Sequence, residues 1–180
     1  HRTADNAVTY YDYDRQGRQA YIRDAANGET TMAYDAVGNL VSVTDPNGNL
    51  TTFTYDAQNR LVREHNSFGD RRYAYDGEGN LVEETDRNGR RTVYASDALN
   101  HRTSETWLDV AGNPVRLIAT TYDLTGLPLT MSDPAATYTY AYDAYARLDA
   151  ITVGGAGGLP DVILDYAHTP ADRPESLAVT

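Results

Sequence analysis

Residues 33–41 read Ala-Tyr-Asp-Ala-Val-Gly-Asn-Leu-Val, and residues 74–82 read Ala-Tyr-Asp-Gly-Glu-Gly-Asn-Leu-Val. The two copies differ only at the two residues between Asp and Gly. The same Tyr-Asp pair stands at positions 13, 34, 55, 75, 122 and 142. Ser96-Asp97 and Tyr166-Ala167 stand where further copies are due, and the steps between these eight points are 21, 21, 20, 21, 26, 20 and 24 residues. A fixed period of about 20 residues marks a repeat architecture.

The repeat is punctuated twice. Tyr-Asp-x-x-Gly is complete at Tyr13, Asp14 and Gly17, at Tyr34, Asp35 and Gly38, at Tyr75, Asp76 and Gly79, and at Tyr122, Asp123 and Gly126. After Tyr55 and Asp56 the fifth position is Asn59; after Tyr142 and Asp143 it is Ala146. Asn tolerates left-handed backbone and Ala fits it poorly. Midway between these marks stand Asn27-Gly28, Asn47-Gly48, Phe68-Gly69, Asn88-Gly89 and Ala111-Gly112. Asp24, Asp45, Asn66, Asp86 and Asp109 precede those glycines by three or four residues. Asp accepts bonds from backbone N–H groups further round a turn, and Gly or Asn follows where φ must be positive. A type I turn closed by a G1 bulge satisfies both.

Between turns the chain alternates. Thr51, Phe53 and Tyr55 fall on one side, and Leu50, Thr52 and Thr54 on the other. Arg71, Tyr73 and Tyr75 repeat the pattern, as do Tyr138, Tyr140 and Tyr142. Period two in Tyr, Thr, Phe and Val is the pattern of a strand. Only 95–111 offers a weak helical alternative. The predicted fold is therefore all-β: tandem antiparallel hairpins in a curved sheet of about 12 to 14 strands. One hairpin is unstable alone, so neighbours must align their Tyr rings and their Leu and Val side chains into continuous apolar stripes. Residues 1–12 are expected to be an entry strand from a preceding repeat, 13–153 the tandem repeats, and 154–180 a Gly-rich loop with a divergent last repeat. In that tail, Asp161–Tyr166 reads as a strand and the chain from Thr169 as irregular.

Composition narrows the function. The formal net charge is −11, with 15 Tyr against 2 Phe and 1 Trp. An acidic chain lacks the clustered cations that nucleic acid or an anionic membrane surface requires. There is no Cys, hence no disulfide frame or thiol nucleophile. No apolar run approaches about 18 residues, so no membrane span is predicted. The chain begins at His1 without Met or signal peptide and reads as part of something longer.

This pattern resembles the Rhs, or YD, repeat, most fully in YDAVGNLVSVTDPNGNLTTFTYDAQNRLV at 34–62, and the likeness runs over roughly residues 10–150. The family includes bacterial Rhs polymorphic toxins, encapsulating components of insecticidal toxin complexes and animal teneurins. The resemblance implies a sheet that spirals into a hollow shell, enclosing a C-terminal toxin in the bacterial members. This chain would then be a stretch of shell wall in a secreted or cell-surface bacterial protein. Its partners would be neighbouring repeats of the same parent chain and an encapsulated toxin. Bacterial relatives often end the shell with a conserved core segment resembling Pro-x-x-x-x-Asp-Pro-x-Gly-Leu, near a self-cleaving Asp; Asp45-Pro46 and Asp133-Pro134 do not match it, so no catalytic residue is carried over.

Other chemistry is thinly supported. His1, His65, His101 and His168 lie at no metal-ligand spacing. Asp45–Gly48 and Asp86–Gly89 look like openings of calcium loops, but position 12 is Asp56 or Asp97 rather than Glu. No Ser has a Gly-x-Ser-x-Gly context. No cofactor, metal or enzymatic activity is predicted. Trp107, inside the 26-residue step, reads as a buried anchor. The alternative function is a carbohydrate- or cell-surface-binding module, which needs Tyr rings exposed on the sheet.

Overall fold

The computed structural model describes residues 8–155, 162–168 and 174–179. All regular structure among them is β-strand, in an open antiparallel sheet that follows chain order. Two compact units divide the chain: 1–74 with 84–89, and 75–83 with 90–180. The first holds β1 (Tyr10–Tyr13), β2 (Gln19–Arg23), β3 (Glu29–Tyr34), β4 (Leu40–Thr44), β5 (Leu50–Tyr55) and β6 (Leu61–Asn66). Next come β7 (Gly69–Tyr75) and β8 (Leu81–Thr85), each divided between the units. The second unit holds β9 (Arg91–Ser96), β10 (Arg102–Leu108), β11 (Pro114–Tyr122), β12 (Pro128–Ser132), β13 (Ala136–Tyr142), β14 (Leu148–Gly155), β15 (Val162–His168) and β16 (Pro174–Val179).

The strands exceed the expected 12 to 14 because the tail is also strand. Pro174 opens β16, which pairs with β15 where irregular chain was expected. Pro is tolerated there because a first strand residue need not donate to the ladder. The weakly helical stretch 95–111 is occupied by the end of β9 and by β10. Residues 156–161, most of the expected Gly-rich loop, lie outside the described residues.

One turn design recurs at both edges of the sheet, the shorter Asp133 turn excepted. The residue three after the leading Asp or Asn takes the positive φ: Gly17 at 79°, Gly48 at 81°, Asn59 at 60°. At Asp24 the third residue is Asn27, with φ 64°, and Gly28 is not left-handed. Of the Asn27-Gly28 pair it is thus Asn that supplies the positive φ: distance from Asp, not glycine itself, fixes the position. Ala146 obeys the same rule at 61°, so the turn imposes its geometry on a residue that opposes it.

Five of the Tyr-Asp hairpins also carry a bulge beside the turn. Tyr34 lies opposite Leu40 but Ala33 lies opposite Ser42, so Val41 is the extra residue. The same shift occurs at Tyr13, Tyr55, Tyr122 and Tyr142. A bulge raises local twist and bends the strand that carries it.

Burial follows the period of two without reaching completion. In β13, half-buried Ala136, Tyr138, Tyr140 and Tyr142 alternate with exposed Thr137, Thr139 and Ala141. Thr30, Met32 and Tyr34 alternate likewise in β3. No described side chain is fully buried. The continuous apolar stripes expected from sequence are therefore half-wet, because each ring is covered by neighbours within its own sheet. Tyr10, Tyr11, Tyr13 and Tyr145 are exposed, and the other eleven Tyr are half-buried.

Candidate functional site

The motif residues do not converge on one place. They recur as like stations along the sheet, built of two parts: a carboxylate cage and, at Tyr34, Tyr55, Tyr122 and Tyr142, a tyrosine clamp.

In the cage, Asp35 Oδ1 accepts from the backbone N–H groups of Val37, Gly38 and Asn39 at 2.8–3.0 Å. Asp35 Oδ2 accepts from Asn39 Nδ2 at 2.9 Å. The division recurs: one oxygen takes backbone donors, and the other takes the side chain four residues on. Arg18 Nε donates to Asp14 Oδ2 at 2.6 Å, Arg60 Nε to Asp56 at 2.7 Å and Arg147 Nε to Asp143 at 2.7 Å. Asn80 supplies Asp76, and His101 lies beside Asp97. Asp45 and Asp109, on the opposite edge, use Asn49 and Asn113. At Asp123 the side-chain donor is instead Thr125.

These donors hold the carboxyls in the charged form. The Asn49, Asn80 and Asn113 amides, aided by backbone N–H groups, keep Asp45, Asp76 and Asp109 below the usual carboxylate range. The Arg147 guanidinium lowers Asp143 to about 2. The oxygens that could have bound calcium at Asp45 are thus already engaged by their own turn. Among the described residues no three His, Asp or Glu gather as a metal-binding group.

The clamp joins consecutive hairpins. Tyr34 Oη donates to the Gln19 carbonyl, Tyr55 Oη to Leu40, Tyr122 Oη to Arg102 and Tyr142 Oη to Pro128, each at 2.9 Å. Each acceptor is the first residue of the return strand one hairpin earlier. The ladder explains the need. Between hairpins β2 and β3 pair only through Tyr21–Arg23, and β4 and β5 only through Ser42–Thr44. Both ladders stop short of the Tyr-Asp edge, and the tyrosine hydroxyl bridges the remaining opening. Tyr13, with no earlier hairpin among the described residues, is 57% exposed.

The residue four after Asp adds a second bolt, and its role was missed in the sequence. Arg18 lies over the Tyr34 ring at 4.6 Å and donates from Nη1 to the Asp35 carbonyl at 3.0 Å. Asn39 Nδ2 also reaches Asn59 Oδ1 at 2.9 Å, and Asn80 Nδ2 reaches Asn100 Oδ1 at 2.8 Å. His101 stacks on Tyr122 with centroids 4.9 Å apart. The signal was present as the Arg or Asn that follows Gly in the repeat, and His101 stands in that same place.

Elsewhere the repeat is decorated. Asp70 gathers Arg63, His65 and Arg72 at 2.9, 2.6 and 2.8 Å, and their bonds hold its carboxyl far below the usual range. Trp107 is not the buried anchor expected; it is 41% exposed, with Arg116 over its ring at 5.1 Å.

A sheet of like hairpins, bolted to one another by tyrosine hydroxyls and cage residues, defines a β-repeat protein. The chain carries the RHS repeat: residues 34–71 and 75–121 match the family model of that description. Its fold is similar to part of the crystal structure of TcdB2-TccC3-Cdc42, with TM-score 0.75 and 17% identity over 93% of this chain and 10% of that one. It is similar also to TcdB2-TccC3, at TM-score 0.74 and 14% identity over 99% and 11%. TcdB2-TccC3 without its hypervariable C-terminal region gives 0.75 and 16% over 98% and 10%. The chain thus spans about a tenth of the length of these solved chains. No curated protein sequence matches it.

Proposed function

We propose that this chain is a stretch of wall in an RHS-repeat shell, and that the shell encloses a toxin or effector carried by the same parent protein. The observation that carries the reading is the clamp. At Tyr34, Tyr55, Tyr122 and Tyr142 the hydroxyl holds a hairpin to its neighbour through a carbonyl, and the caged carboxylates are spent on their own turns. Such a chain builds an extended surface, and excluding solvent and protease is what a surface can do. The similarity to TcdB2-TccC3 structures, one of which contains Cdc42, supports the fold and suggests the cargo-bearing role. On this reading the parent is a secreted or cell-surface protein, and the wall's partners are neighbouring repeats and the cargo.

The sugar-binding alternative is weaker, because it needs open Tyr platforms and eleven Tyr rings are half-buried. Limited proteolysis of the intact parent tests the proposal. The C-terminal segment should resist cleavage until the wall is unfolded by denaturant. A segment digested at the same rate in native parent and in denaturant would refute enclosure.

A further inference from the structure

We propose that the overhanging edge of β11 is a docking site for an extended peptide segment, taken up as an added antiparallel strand. β11 is nine residues long, whereas β12 has five. On one side β10 pairs with β11 from Pro114 to Ala119. On the other side β12 pairs only from Ala119 to Tyr122, because the chain turns away at Asp133. Among the described residues no strand pairs with that side of Pro114–Ile118. Five residues of strand leave a ledge of about 16 Å.

The direction of the backbone can be followed along β11. The Asp123 N–H bonds to the Leu127 carbonyl, so residue 123 faces β12. Alternation then turns Thr121, Ala119 and Leu117 to the same side. The N–H and C=O of Leu117 therefore point off the ledge, while those of Arg116 and Ile118 point to β10. Exposed strand edges are commonly guarded by an outward charge. Here the one charge is diverted: Arg116 bonds to Asp133 Oδ2 and covers Trp107 on the opposite face. Val115 and Leu117 are left 62% and 49% exposed. At the inner end of the ledge Arg116, Ile118, Met131, Ser132, Asp133 and Tyr138 line a cleft of about 130 Å³, a seat for one side chain of the incoming strand.

The occupant follows from these features. A second copy pairing ledge to ledge would bury far less than the roughly 1,200 Å² of a specific interface and would juxtapose two Arg116 side chains. An extended segment meets no such limit. It gains main-chain bonds, and exposed Leu117 favours aliphatic side chains on its own face of the sheet, while the cleft, on the Arg116 and Ile118 face, takes the small side chain between them. Glu105, opposite Ile118 in β10, and Asp109, in the turn between β10 and β11, disfavour an acidic segment. The site stands whether or not the parent encloses a cargo.

The probe is fluorescein-labelled Thr-Val-Thr-Ile-Thr-Val, acetylated and amidated, titrated by anisotropy with the 180-residue chain. Saturable binding is expected. Leu117→Pro should weaken it at least about tenfold with an unchanged far-UV spectrum, because the N–H it removes faces away from β10. The same peptide N-methylated at alternate residues should also fail, and it decides the matter if Leu117→Pro disturbs the hairpin. No binding to the native chain, undiminished binding to folded Leu117→Pro, or equal binding of the N-methylated peptide would each overturn the proposal. A concentration-dependent dimer lost in Leu117→Pro, without peptide binding, would assign the ledge to a second copy and also overturn it.

Discussion

Tyr55 offers a sharp test of the clamp, because its ring and its hydroxyl can be removed separately. The hydroxyl donates to the Leu40 carbonyl at 2.9 Å across the opening between hairpins. Tyr55→Phe removes that bond alone and should cost about 0.5–1.5 kcal/mol. Tyr55→Ala also removes a half-buried ring. Full truncation of a core aromatic costs about 3–5 kcal/mol, so a ring with one side wet should cost about half that. The sum for Tyr55→Ala is about 2–4 kcal/mol. Urea unfolding followed by circular dichroism reads both, with the slope held constant so that a midpoint shift reports stability. A neutral Tyr55→Phe would show that the hydroxyl bond holds nothing together. A Tyr55→Ala no worse than Tyr55→Phe would remove the ring from the account.

Three further outcomes follow from the turns. Ala146→Gly should raise stability by about 0.5–1 kcal/mol in the same assay, because Ala146 is held at φ 61° and Gly is not strained there. Gly126→Ala should be more damaging than Gly17→Ala: both sit at positive φ, but only at Gly126 would the new Cβ lie 2.9 Å from His101 Nε2. Equal midpoints for the two variants would deny the His101 contact. Acid should unfold the sheet in a narrow window. The cage lowers the folded carboxyls, Asp143 to about 2 by Arg147, from an unfolded value near about 3.9. Their contribution is complete above that unfolded value and is lost as pH falls through about 4 towards 2. Ellipticity that begins to fall at neutral pH would contradict this.

The hairpins were legible because turn and strand chemistry are local. Asp35 and Gly38 specify a turn from within five residues, and Tyr138, Tyr140 and Tyr142 declare a face by alternation alone. The bolts were not legible, since they join residues about one repeat apart. Nothing in the sequence near Arg18 announces Tyr34 as its partner, and His101 looked like one of four scattered histidines. The half-wet state of the tyrosine stripe was also hidden, because alternation gives the side of the sheet but not what covers it. Trp107 misled for that reason: a lone Trp suggests a core, and a sheet of one layer has none to offer.

The wall reading makes one demand that no shorter experiment replaces. Negative-stain electron microscopy of the full-length protein that carries this chain should show a closed hollow particle with density inside. An open rod or filament, with the same repeats exposed along its length, would contradict enclosure.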